Sequence, residues 1–161
     1  SHLELLETLT RIDNVLNINL IGLPIDRNIE KIVRGSNNLI KSNINYLPKI
    51  DQQDLCLLLL FSSAYISTSR YEGFGIPVLE AQLYNLPLII RDMDINRELF
   101  PSANFFKTSI EVENLLNLLQ PLSQKEIKKR RKTLAGIKED NLIRSFNYSE
   151  LSKRLIDFIY N

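Results

Sequence analysis

The sequence is short of the residues that most often carry chemistry. Its 161 residues include one cysteine, one histidine, one methionine and no tryptophan. A lone Cys56 rules out an internal disulfide, fits a reducing compartment and reads as a small core residue. The single histidine, His2, leaves the body of the chain without a histidine base or a histidine metal ligand. Asp92 and Asp94 have no Cys or His near them in sequence, so they read as loop and helix-cap acids, and no metal or other cofactor is expected. The formal charge of +1 lacks the basic excess of nucleic-acid binders, so no nucleic-acid partner is expected. The longest apolar run, Leu55 to Phe61, is far short of the roughly 20 residues that cross a bilayer. No basic, apolar and small-residue succession opens the chain, and a cytoplasmic location is the expectation.

What is present is an ordinary globular composition, 44% hydrophobic and 24% charged, which excludes disorder and fibrous repeats. The length suits one domain. Leu3, Leu5, Leu6, Leu9 and Ile12 recur at helical spacing, and Val15 to Ile21 reads as a strand closed by Gly22-Leu23-Pro24. A second helical pattern, Ile25 to Asn38, is followed by a strand near Ile44 to Leu47. Asp51 is an N-cap signal for a helix through Ser62, and Ala64 to Ser67 has strand character. Pro77 to Tyr84 reads as a short helix with proline first, Leu88 to Ile90 as a buried strand, Ile95 to Phe100 as a helical turn or two, and Asn104 to Phe106 as a last strand. Helices beginning at Ser109, Ser123 and Ser149, each with a serine cap, fill the C-terminal third. Short apolar strands alternating with helices predict the α/β class, a doubly wound, Rossmann-like parallel sheet.

Two of only five glycines, Gly73 and Gly75, fall within three residues of each other, between a predicted strand and a predicted helix. Glycine there permits positive φ and close approach of a ligand to the backbone, at the strand end where open α/β sheets bind ligands. The amides at the helix entrance can hold a phosphate against the positive end of the helix dipole. Glu80, one turn into the helix, leans back toward Glu72 in the loop. Carboxylates are poor phosphate ligands but good acceptors for sugar hydroxyls. Phosphate on amides with sugar rings at two acids describes a nucleotide sugar.

The run Tyr71-Glu72-Gly73-Phe74-Gly75-Ile76-Pro77-Val78-Leu79-Glu80-Ala81 resembles the Glu-x7-Glu signature of retaining GT-B glycosyltransferases, in particular glycosyltransferase family four. Asn85 to Ile90, Arg97-Glu98 and Asn147-Tyr148-Ser149 extend the resemblance over most of the chain, while Pro48 and Asn85 stand where the family usually has glycine. The resemblance implies that residues 1–161 form the nucleotide-sugar-binding domain of such an enzyme. By it, Glu72 contacts the donor sugar or reacting centre and is the catalytic candidate. Glu80 binds the ribose, and the amides of Gly73, Phe74, Gly75 and Ile76 meet donor sugar and phosphate. Ile50, in Leu47-Pro48-Lys49-Ile50, is the candidate for reading the nucleobase. It also implies that the domain's first strand, with the Arg and Lys that neutralise the diphosphate, and an N-terminal acceptor domain belong upstream of Ser1. The chain alone is then expected to be inactive, and the full-length protein to transfer sugar to a hydroxyl acceptor in polysaccharide, glycolipid or glycoconjugate synthesis.

A different reading is a catalytically silent domain of the same fold that serves protein assembly or regulation; a phospho-receiver domain is disfavoured because no acidic pair follows the first strand. The basic cluster Lys125, Lys128, Lys129, Arg130, Arg131 and Lys132 reads first as a solvated helix face. Its alternative is contact with anionic lipid, which would put the full-length protein at the inner face of the membrane.

Overall fold

A computed structural model describes residues 2–22, 35, 40–71, 75–126, 128 and 129. The element order is α1 (His2–Leu9), β1 (Asn17–Ile21), β2 (Asn43–Leu47), α2 (Gln52–Phe61), β3 (Tyr65–Ser67), α3 (Ile76–Leu83), β4 (Leu88–Arg91), α4 (Asp94–Leu99), β5 (Asn104–Phe106) and α5 (Ser109–Asn117). The expected helix over 25–38 falls outside the described residues except for Gly35, as do the segment beyond 129 and the last helix.

All strand pairings among the described residues are parallel. β1 pairs with β2 from Asn17↔Asn43 to Ile21↔Leu47, and β3, β4 and β5 form a second set in that order. Helices cover both faces, as the side-chain alternation of β4 shows. Leu88 and Ile90 pack with Leu59 of α2, Val78, Leu79 and Ala81 of α3, and Leu99 and Phe100 of α4. Ile89 points the other way, into a core with Leu5, Leu6 and Leu9 of α1 and Val112 and Leu116 of α5. β5 alternates likewise, with Phe105 on the first face and Phe106 on the second. The second core also takes in Leu20, Ile18 and Ile44 of β1 and β2, so both strand sets share one interior. This is the doubly wound α/β arrangement expected, built from period-2 strands between amphipathic helices.

Local signals explain most helix ends. Asp51 caps α2 by accepting from the Asp54 amide at 2.8 Å, as expected. At the end of α3, Asn85 adopts φ 54° while the Leu86 and Asn85 amides donate to the Ala81 and Gln82 carbonyls at 3.2 and 2.8 Å, a Schellman closure. Asn85 thus takes the left-handed position that glycine usually fills.

Three expectations need correction. Ile76, not Pro77, is the first residue of α3, because Gly75 at φ 63° caps the helix one residue earlier; Pro77 still lies among the first four positions, whose amides have no helical partner. Ser109 does not cap α5. The Thr108 hydroxyl accepts from the Glu111 amide at 3.3 Å while the Glu111 carboxylate accepts from the Thr108 amide at 3.1 Å, a capping box that places Ser109 inside the helix. Asp94 is likewise inside α4, whose cap residue Met93 makes no side-chain cap; Asp92 is the loop acid expected, between β4 and α4, and is ion-paired there. Ser123 behaves as expected: its hydroxyl accepts from the Glu126 amide at 3.2 Å at the start of a helical stretch.

Candidate functional site

The carboxyl ends of β3, β4 and β5 lie side by side, and the segment leaving β3 is held by its own serines. The Ser69 amide donates to Ser67 Oγ at 3.4 Å, and Ser69 Oγ donates to the Tyr71 carbonyl at 3.0 Å. Tyr71 is almost fully exposed, and Glu72, Gly73 and Phe74 lie outside the described residues. The chain is described again at Gly75. A Cβ added there would meet Phe100 Cε2 and Val78 Cγ2, both at 3.5 Å, so the left-handed backbone rather than lack of space calls for glycine. The Gly75 carbonyl accepts from the Val78 and Leu79 amides at 2.8 and 3.0 Å. Pro77 has no N–H, and helix geometry leaves the Ile76 amide outside the ladder, aimed at the approach to α3.

Glu80 sits one turn further along α3, half-buried, and that burial raises its carboxyl pKa above the ordinary value. One turn beyond, Tyr84 packs against the same core. Burial, the neighbouring Cys56 thiol and the charge of Glu80 all raise the pKa of its phenol. Cys56 is buried as expected.

Ile50 follows the carboxyl end of β2. It is half-buried in an open groove of about 660 Å³, shared with Leu47, Lys49, Asp51, Asp54, Leu57, Leu58 and Phe61. Of the expected site residues, Gly75, Ile76 and Glu80 are therefore on one helix, whereas Ile50 belongs to the other strand set.

Two charge clusters at the carboxyl edge were not foreseen. Glu4, in the first turn of α1, accepts from Arg91 at the end of β4 at 2.5 Å and lies 3.5 Å from Arg70. Arg91 also donates to the Lys107 and Thr68 carbonyls at 3.4 and 3.5 Å and lies over the Phe106 ring, 5.1 Å from its centre. The second cluster is Asp92, bound by both Nε and Nη2 of Arg97 at 2.5 and 2.8 Å and approached by Lys107 at 3.4 Å. Those cations hold the Asp92 carboxyl below its ordinary pKa, the Arg97 bond contributing most. A charged residue closing the apolar strand Leu88–Ile90 was the one sequence signal for Arg91; its partner Glu4 was not visible from spacing. No group of three or more His, Cys, Asp or Glu residues able to hold a metal occurs among the described residues. No helix among them is long and apolar enough to cross a membrane.

With this geometry, an α/β domain whose carboxyl edge carries a glycine-capped helix entrance, the chain matches the family described as Glycosyl transferases group 1 over residues 3–140, and it belongs to that family. Three curated relatives, each a Serotype-specific mannosyltransferase WbdA of Escherichia coli, are 37% identical to it over 60 residues. That similarity covers 37% of this chain and 7% of those proteins, so the chain corresponds to a small part of the relatives it matches.

Proposed function

We propose that this domain holds the nucleotide-diphosphate sugar for a retaining glycosyltransferase of the family-four, GT-B type, which transfers the sugar to a hydroxyl acceptor. The observation that carries the reading is the start of α3. There Gly75, in the left-handed conformation, turns the chain into a helix whose first amide lies outside the ladder and whose half-buried Glu80 is one turn away. In this assignment the amides of Gly73, Phe74, Gly75 and Ile76 take donor sugar and phosphate. Glu72 takes the sugar hydroxyls or the reacting centre, Glu80 the ribose, and Ile50 the base at the groove after β2. Catalysis is then mainly positioning and stabilisation of the departing diphosphate, with no metal. The mannosyltransferase relatives make a mannosyl donor the first to test.

The longer protein is proposed to supply the acceptor domain and one further parallel strand. Among the described residues β1 pairs with β2 and β3 with β4, yet both sets share a core, and a strand between β1 and β3 would join them into one sheet. Calorimetry with UDP-, GDP- and ADP-sugars tests the reading. Binding of one of them, weakened at least tenfold by Glu80→Ala in a way that depends on the ribose, is expected. If a chain extended to include that strand binds none of them, the proposal fails.

A further inference from the structure

At the carboxyl edge of the sheet two guanidinium groups share one carboxylate, and they are not equivalent. Arg91, its side chain 13% exposed, spends its donors on Glu4 and on the Thr68 and Lys107 carbonyls. Arg70, its side chain 64% exposed, approaches Glu4 with one nitrogen at 3.5 Å, longer than a good hydrogen bond. Among the described residues, one carboxylate against two guanidinium groups leaves one positive charge at the spot. Asp92 does not cancel it, because its oxygens are taken by Arg97 and Lys107. In sequence Arg70 lies between the end of β3 and the start of α3, and Glu4 brings the first turn of α1 to it. An arginine fork facing solvent, beside the first turn of α1, has the donor geometry and the sign of charge that a diphosphate requires.

We propose that Arg70 is a ligand of the donor diphosphate, with Glu4 holding it in place until the anion arrives and Arg91 retaining Glu4 afterwards. This rests on the donor-binding reading above. It assigns Arg70 to phosphate, separately from the sugar and ribose roles of Glu72 and Glu80.

The test is calorimetry on the full chain with inorganic pyrophosphate, UDP, GDP and the nucleosides uridine and guanosine. For Arg70→Gln the expected result is about tenfold weaker binding of pyrophosphate and of whichever nucleoside diphosphate binds, with nucleoside affinity and melting temperature unchanged. Glu4→Gln, which removes the competing charge, is expected to tighten pyrophosphate binding. Pyrophosphate affinity unchanged in Arg70→Gln, or a loss equally large for the nucleoside, overturns the assignment. If the wild-type chain binds UDP or GDP, and Glu80→Ala weakens that binding while Arg70→Gln does not, the donor reading stands and the role of Arg70 falls. If neither the wild-type chain nor a chain extended to include the further strand binds any of these probes, both fall.

Discussion

Glu4 in the first turn of α1 and Arg91 at the end of β4, 87 residues apart in sequence, meet at 2.5 Å. The contact ties the start of the first helix to the carboxyl edge of the sheet, and the Arg91 side chain, 13% exposed, has little access to water as a substitute. Truncation by Glu4→Ala is therefore expected to destabilise the domain by roughly 1–3 kcal/mol, the range for a hydrogen bond to a charged partner left unpaired. Glu4→Gln keeps an acceptor and is expected to lose less. Urea denaturation of the two variants checks both the size and the order.

Gly75 makes a different demand. Its φ of 63° is left-handed, yet the space beside it admits a methyl group at ordinary contact distance from Phe100 and Val78. Gly75→Ala should therefore lose about 1–2 kcal/mol through the backbone alone. Gly75→Asn, which tolerates that conformation better, should lose less. Gly75→Val should lose more than either, because its branches press on the Phe100 ring. Melting temperatures of the three variants give the ranking, and an equal loss for all three would mean that the left-handed cap is not what glycine supplies here.

The fold was readable from this sequence because its local signals agree. Leu88-Ile89-Ile90 can be little other than a strand, Asp51 stands before an apolar helix, and strands alternate with helices throughout. Where two signals stood side by side, spacing decided. Thr108 and Ser109 are both good caps, but Glu111 lies three residues after Thr108 and closes the box there. The proline signal alone puts Pro77 one position early, because the left-handed state of Gly75 is a property of the folded loop. The division of the strands into two sets and the meeting of Arg91 with Glu4 depend on tertiary packing between distant segments, which neither periodicity nor composition encodes. Of the candidate site, the helix entrance and Glu80 can be read from glycine spacing and helix geometry, whereas no pattern in the sequence singles out Arg70.

The α5 cap allows a clean contrast. Thr108→Ala removes the hydroxyl that accepts from the Glu111 amide and is expected to lose about 1 kcal/mol. Ser109→Ala, one residue on and within the helix, is expected to change stability by no more than a few tenths of a kcal/mol. A double-mutant cycle between Thr108→Ala and Glu111→Ala should show coupling, since each side chain holds the other's amide.

Asp92 and Glu80 respond to pH with opposite signs. Asp92 has its carboxyl held below the ordinary value by Arg97 and Lys107, so the unfolded chain binds its proton first as pH falls. The stability it contributes is complete above the unfolded value of about 4 and is lost as pH drops through the lower folded value. Glu80 has its carboxyl raised by burial, so the folded chain is the better proton binder between the unfolded value and the higher folded one. Through that window stability falls as pH rises, and above it the folded state carries the full penalty of a charged, half-buried group. Asp92→Asn should therefore flatten the acid limb of the stability curve and lower the plateau at neutral pH. Glu80→Gln should remove the decline between the two Glu80 values and raise that plateau. If Glu80 also binds the donor ribose, the Gln variant gains stability at neutral pH while losing nucleotide affinity, which chemical denaturation and calorimetry on the same sample can show together. A Glu80→Gln chain less stable than wild type at neutral pH would mean that Glu80 is a paired structural residue, and its claim to the ribose would lose its physical basis.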